Sequence, residues 1–462
     1  MPSGDTAQAD AAQDERLAID LDPPAKQWPS IIGASESSFS PTDLQRTTRA
    51  ELGLVVDKPI ILSGHQTEFW HAGILAKHLA GQRLATRQGA HLAWLAVDQD
   101  APAALPIRYP SLQDGVLTEA RWGPNLPADV PTGMLDPIRD WPDVPIDAAT
   151  PEIAASFAEL REALGRHTDA PSLAEQIEHA RSELLGLDGM TVSAAAFART
   201  TLFDRIVAAM REDPSACVSA YNAAVRAHPE GRLRELDAEP GREELPLWHV
   251  APGAPRVGVR ADQLSALDAG QLAPKALLMT GIARLALCDV FIHGLGGRDY
   301  DPAMQAWLDG WLLPTMPGEA LAPAVIATAT VRVPLDVPEP PTKDQVKAAA
   351  ALARRAKDDP AAVGDGERAA EKQRLVNAMR DAKEQKDKAA SDELFKAMKA
   401  LAAEHQSANA EAIQSIANDA DRLAKAHAGR DLAHDRTWPA VFLGDAVLGE
   451  LRDAIVRAFE AD

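Results

Sequence analysis

The sequence predicts an α/β protein with a largely parallel sheet covered on both faces, and three observations carry that reading. Short continuous apolar runs stand at Pro59–Ser63, His91–Val97 and Asp289–His293, each bounded by turn residues. None alternates apolar with polar, as a half-exposed strand would, so each reads as a strand buried on both faces. Between the first two, the spacing of Leu75, Leu79 and Leu84 predicts a helix from about Phe69 to Arg87. Strand, helix and strand within about 40 residues make a βαβ unit, whose natural product is a parallel pair.

The totals bound the rest. A chain of 462 residues corresponds to about three units of roughly 150 residues each. A hydrophobic share of 46% with 25% charged is ordinary for a globular protein. The net charge of -21 repels phosphate backbones and anionic bilayers, so neither nucleic acid nor membrane is expected as a partner. With Cys217 and Cys288 the sole cysteines, no disulfide framework can form, which fits a reducing, cytoplasmic setting. Cys288 sits in an apolar run and reads as core rather than nucleophile.

Along the chain, residues 1–24 read as a disordered tail and 25–341 as the core. Within the core, ten prolines from Pro102 to Pro151 exclude long helices and central strands, so 101–150 is an extended insertion. A helical insertion follows at 150–240, opening where Thr150 can cap and Pro151 fits the first turn. Helical patterns continue at about 172–186, 191–212 and 214–228. Strands are expected near Leu247–Val250, Arg256–Arg260 and Val325–Val333, and helices from Pro274 to Leu287 and from Asp301-Pro302 onward. Residues 343–428 hold 16 basic and 15 acidic residues, so the acidity belongs to the core. Leu375, Met379, Ala382, Ala389, Phe395, Met398, Ala402 and His405 approximate a 3–4 spacing. Residues 342–430 therefore read as a helical arm suited to coiled-coil pairing, with a homodimer as the expected partner. The pairs Glu384–Lys388, Asp392–Lys396 and Asp421–Lys425 would support it by about 0.2–0.5 kcal/mol each. Residues 431–462 return to the core.

Ligands of an open parallel sheet bind beyond the carboxyl ends of its strands. All three strong strands end there in polar residues or glycine. The first end is Gly64-His65-Gln66, followed by His71, Gly73 and Lys77 at the start of a helix whose free N–H groups suit an anion. The second is Asp98-Gln99-Asp100, where two carboxylates could hold a sugar hydroxyl, an amine or a cation. The third is His293-Gly294-Leu295-Gly296-Gly297-Arg298-Asp299-Tyr300, a glycine turn with an arginine able to grip a carboxylate or phosphate. It is neither a Walker loop nor a dinucleotide fingerprint. Arg284 and Lys275 on the preceding helix could also point at the site.

These three clusters, in this order, resemble the bacillithiol-biosynthesis cysteine-adding enzyme family (BshC), and the helical arm matches that family's coiled-coil domain. The resemblance implies a Rossmann-like core, a dimerising coiled coil and a ligase joining cysteine to the amine of an amino-sugar conjugate. It implies His65, Asp98 and Asp100 as catalytic residues, the aspartates orienting the amine and accepting its proton. Gly64, Gln66, His71, Gly73, Lys77, Gly294, Gly296, Gly297 and Arg298 would cradle a cofactor, with a nucleotide (ATP or ADP) the candidate that activates the carboxylate. Gln99, His293, Asp299 and Tyr300 would hold substrate. The chain departs from the family in the pocket itself, with His65 where glutamine is usual and Gly73-Ile74 in place of a Gly-Pro pair. Those departures motivate one alternative, a non-catalytic dimeric binding or scaffold protein; the ligand types of His65, Asp98, Asp100 and His293 give another, a metal-dependent hydrolase.

Overall fold

A computed structural model describes residues 16–32, 39–102, 105–113, 115–127, 129–335 and 341–460. The chain forms two compact units: Met1–Tyr109, Ala120–Pro334 and Asp435–Asp462 make the first, and Pro110–Glu119 with Leu335–His434 the second.

The strands are β1 (Leu17–Asp22), β2 (Ile60–Gln66), β3 (His91–Val97), β4 (Ile107–Gln113), β5 (Val116–Trp122), β6 (Met190–Ser193), β7 (Glu244–His249), β8 (Val257–Arg260), β9 (Leu272–Pro274), β10 (Val290–His293) and β11 (Ala324–Val331). The helices of the first unit are α1 (Asp43–Glu51), α2 (Ala72–Gln88), α3 (Pro151–Arg166), α4 (Leu173–Leu185), α5 (Thr201–Glu212), α6 (Pro214–Ala227), α7 (Ala276–Ile282) and α8 (Leu295–Trp311). The second unit carries α9 (Lys343–Ala356), α10 (Gly366–Glu384), α11 (Lys388–Ala408) and α12 (Ala410–Ala433), and α13 (Gly444–Glu460) belongs to the first.

The central sheet of this mixed α/β fold has the order β1-β11-β10-β2-β3-β6. Every neighbour is parallel except β1, which runs antiparallel to β11. The expected burial on both faces is present. Ile60, Leu62, Leu95 and Phe291 join one large core with Phe203, Ile206, Leu278 and Trp307. Ile61, Leu92 and Ile292 point the other way and pack closely on α2, where a Cβ at Gly81 would come within 2.9 Å of Leu92 Cδ1. From β2 the chain moves to β3 and β6 on one side, then returns to lay β10 and β11 on the other. The topological switch point is therefore between β2 and β10, where such folds open a crevice beyond the carboxyl ends of the strands. The opposite end of the same pair is closed: Asp289 accepts from the Ile60 amide at 2.7 Å and from buried Arg49 at 3.0 Å.

Several expectations need correction. Leu17–Asp22, inside the stretch read as a disordered tail, is edge strand β1; its alternation of apolar and acidic residues is that of a strand with one wet face. Residues 1–15 lie outside the described ones. The stretch 191–212 is not one helix, because β6 and a short 3-10 turn precede α5. The Pro-rich insertion holds the two-stranded sheet β4-β5, with Trp122 stacked on Trp141. The glycine turn after β10 is the first turn of α8, which begins at Leu295 and carries Pro302 inside it rather than at its start. In the second unit α9 packs along α12 and α10 along α11. Glu384 and Lys388 fall on different helices, and Lys396 pairs with Glu393 at 2.8 Å instead of with Asp392.

Candidate functional site

A cavity of about 380 Å³ opens at the switch point, and the first and third sequence clusters meet in it. Gly64, His65 and Gln66 come from the end of β2, and His71, Gly73 and Lys77 from the start of α2. His293, Gly294, Gly296, Gly297 and Tyr300 come from the end of β10 and the first turns of α8.

The local sequence explains each placement. At Gly64 an added Cβ would stand 2.7 Å from the Leu95 carbonyl oxygen, so only glycine lets β2 run this close to β3 as it leaves the sheet. His71 caps α2: its Nδ1 accepts from the Gly73 amide at 3.0 Å. An accepting Nδ1 puts the ring proton on Nε2. Burial brings His71 down to about 4, with the neighbouring His65 pushing the same way. Burial also lowers His65, against the opposing pull of Glu68, whose Oε1 is 3.2 Å from Nδ1.

Lys77 lies one helical turn into α2, so its stem runs back under the strand end. The side chain is buried, and Nζ donates to the Gly64 carbonyl at 2.6 Å. Burial pulls its pKa down to about 7, and the charge of Glu68 only partly opposes this.

His293 ends β10 buried, with Nε2 2.9 Å from Asp301 Oδ1. Asp301 also accepts from Arg284 Nη1, and Arg284 Nε is fixed on the Ala322 carbonyl at 2.7 Å. His293 and Arg284 hold the Asp301 carboxyl below its usual range against the cost of its burial. An ionised carboxylate only accepts, so His293 Nε2 donates and Nδ1 keeps its lone pair. Burial meanwhile lowers the His293 pKa. Gly297 is obligatory beside this ring, since a Cβ there would lie 2.3 Å from His293 Nδ1. No side chain caps α8 at Gly294, and its first turn, Leu295 to Gly297, lies in the cavity lining.

The comparisons with known proteins are brief. No protein-family model matches the sequence, and no curated protein matches it significantly.

The second cluster is placed elsewhere. Asp98 is buried and accepts from the Ser193 hydroxyl and the Ala195 amide, tying β3 to β6; its backbone carbonyl takes the Gly133 amide at 2.8 Å. Its pKa is raised by burial. Gln99 is buried with its amide on the Pro274 carbonyl. Asp100 forms an ion pair with Arg256 and accepts from Gln66 at 3.0 Å. None of the three lines the cavity; Asp100 reaches it only by orienting Gln66. The physical reason is position: β3 lies one strand outside the switch point, where the edge strand and its following turn use up the polar groups.

Arg298 and Asp299 also fall outside, because the helical turn they occupy projects them outward. Arg298 lies 3.5 Å from Asp20 and 3.9 Å from Asp22 instead. Lys275 pairs with Glu244 at 2.6 Å, and Arg284 acts through Asp301. Sequence reasoning missed Thr328 and Arg436, both in the lining. Arg436 arrives because the C-terminal segment docks beside the site, with Ala440 N–H on the Trp70 carbonyl at 2.6 Å. The signal was its place in a Trp-Pro stretch returning to the core. Among the described residues no three His, Cys, Asp or Glu side chains gather as metal ligands, so His65 and His293 are not joined by Asp98 and Asp100. Both cysteines are buried, and burial pushes each thiol well up, as core cysteines require.

Proposed function

We propose that the chain is a small-molecule ligase of the cysteine-adding kind, built on a Rossmann-like core, that joins an amino acid carboxyl to the amine of an amino-sugar conjugate. One observation carries the reading: the β2 and β10 ends, which bear the resemblance, share one cavity at the switch point of the sheet. The role first given to Asp98 and Asp100 passes to His293. Its Nδ1, kept unprotonated by Asp301, accepts the proton as the substrate amine attacks the activated acyl carbon. His65, beside Glu68, holds the amine from the other strand. A nucleotide, when bound, supplies the group that activates the carboxyl. The uncapped first turn of α8 and Arg436 would hold its phosphates, and open space at Gly296 fits a backbone-lined phosphate cradle.

The test is product formation from ATP, cysteine and glucosaminyl-malate, read by mass spectrometry. The amide product is expected, and His293→Ala should lower its rate about 100-fold or more while the protein stays folded. Undiminished turnover by that variant overturns the role of His293; absence of product with wild-type protein overturns the ligase.

The same reading makes the chain a homodimer through 342–430 as a coiled coil. Leu352, Val376 and Phe395 support it, apolar side chains left 40%, 40% and 55% exposed on α9, α10 and α11. Light scattering should give twice the chain mass, and Val376→Glu with Phe395→Glu should halve it. A wild-type monomer at micromolar concentration would refute the pairing. Among the described residues no helix is long and apolar enough to cross a membrane.

A further inference from the structure

Lys77 is an unusual lysine in its surroundings. It is only 4% exposed, yet among the described residues no carboxylate lies within ion-pair distance of it. The one hydrogen bond it makes among the described residues, to the Gly64 carbonyl, uses one of the three protons an ammonium would carry. The Trp94 ring, 5.3 Å from Nζ, compensates an ammonium only in part. A buried ammonium is costly unless paired and fully hydrogen-bonded, so these surroundings favour the neutral amine. A neutral amine carries two N–H groups, one of them on the Gly64 carbonyl, and keeps its lone pair. The residue that carries it lines a cavity of about 380 Å³. A lysine that merely braced the Gly64 turn would need neither the cavity nor the absence of a counter-charge.

The rest of the lining supplies what a covalent amine requires. His65, His71 and His293 line the same cavity as Lys77, so proton carriers share its walls. The uncapped start of α8, whose Gly294 lies against the Lys77 stem, and Arg436 line the same cavity, and both suit a small anionic group. The cavity volume suits a compact molecule.

We propose that Lys77 is a carbonyl-reactive amine, and that the cavity takes a small α-oxo acid whose carboxylate rests on the start of α8 and Arg436. The Lys77 nitrogen lone pair attacks the oxo carbon, and the C=O π bond breaks to give a carbinolamine. The nitrogen then gives up its protons, the oxygen takes them and leaves as water, and a C=N bond joins Lys77 to the acid. No oxidant or further reactant is required. His293, whose Nδ1 is free of a proton, shares the cavity lining and would relay them.

The inference does not rest on the ligase reading: an adduct on Lys77 without any amide product leaves it standing, and the reverse result leaves the ligase. The test treats the full chain with glyoxylate and sodium cyanoborohydride, which reduces an imine to carboxymethyl-lysine, and maps adducts by peptide mass spectrometry. Lys77 should label at least about tenfold faster than exposed Lys396 in the same sample. Its labelling should reach half-maximum near pH 7, as the lowered pKa of about 7 requires, against about 10.4 for an ordinary lysine. Acetaldehyde, which lacks the carboxylate, should show at least tenfold less preference for Lys77 over Lys396. Lys77→Met, checked for an unchanged thermal midpoint, should lose the fast adduct. Labelling of Lys77 no faster than Lys396, or equal preference with acetaldehyde, overturns the proposal.

Discussion

The carboxyl ends of β2 and β3 are adjacent and both polar, yet β2 opens at its last three residues while β3 stays buried to its end. At β2, His65 and Gln66 face a cavity, and at β3 Asp98 and Gln99 are absorbed by the fold. The difference follows from topology. Beside β2 the next strand is β10, reached only after the chain has reversed direction across the sheet, so their outgoing connections diverge and leave a gap. Beside β3 the next strand is β6, and the turn after it closes onto Asp98 through Ser193 and Ala195. A polar strand end marks a binding site only where the neighbouring connection turns away.

The largest effect expected is at the β10 side of that gap. In Gly297→Ala the new methyl would stand 2.3 Å from His293 Nδ1 and 2.6 Å from its Cβ, so the ring must leave its bond to Asp301. Ligand affinity or turnover should fall about 100-fold or more, and overpacking should cost about 1–3 kcal/mol of stability. A variant with wild-type stability and unaltered binding would mean that the His293 ring position is irrelevant to the site.

The comparison of strand ends is broken or sharpened most directly by paired substitutions. Asp98→Ala strands the Ala195 amide and the Ser193 hydroxyl and should cost about 3 kcal/mol in unfolding free energy. His65→Ala, on the partly open β2 end, should cost no more than about 0.5–1 kcal/mol while removing a cavity wall. Urea titration of both, with binding measured on the folded fraction, checks this. If Asp98→Ala were stable but inactive, the two strand ends would be functionally alike after all.

Much of this contrast was legible before any coordinates, and the missing part has a physical cause. Ile60–Leu62, Leu92–Val97 and Val290–Ile292 announced buried parallel strands because both of their faces are apolar. The cap at Thr150 was legible from local chemistry alone, and its hydroxyl does accept from Ile153 N–H at 3.3 Å. What separates His65 from Asp98 is strand order, which no local pattern encodes. Arg298 departs from expectation because Gly294-Leu295-Gly296-Gly297 looks like a loop, while the fold winds it into α8 and carries Arg298 out toward Asp20 and Asp22. Arg436 joins the lining from far along the chain, and only the docking of the C-terminal segment brings it there.

Acid should weaken the β2–β3 region in a defined window. His78 is buried beside Trp70 and Trp94, and burial brings it down to about 4, with Arg181 adding to the shift. Its folded pKa lies below the unfolded value of 6.5. The neutral ring therefore contributes stability that is complete above pH 6.5 and is lost as pH falls from there toward 4. Between pH 7 and pH 5 the loss assigned to His78 is about 2 kcal/mol. His71 shifts in the same direction, so the measurement is the difference between wild type and His78→Leu in denaturant midpoint at the two pH values. Equal pH dependence of the two proteins would show that His78 titrates normally or stays charged when folded.

The smallest effect belongs to the charged surface of α11. Lys396 and Glu393 stand 2.8 Å apart with side chains 72% and 75% exposed. At that exposure water screens the attraction, and holding two long side chains in one geometry costs entropy that offsets most of the gain. Lys396→Ala should change stability by less than about 0.5 kcal/mol, and 0.5 M salt should erase even that. The contrast with Asp98 is the point: an acidic group with neutral partners in a buried turn outweighs a full ion pair in water. A salt-sensitive loss above 1 kcal/mol at Lys396 would reverse that ranking and would indicate that α11 is covered in solution, as pairing of two arms requires.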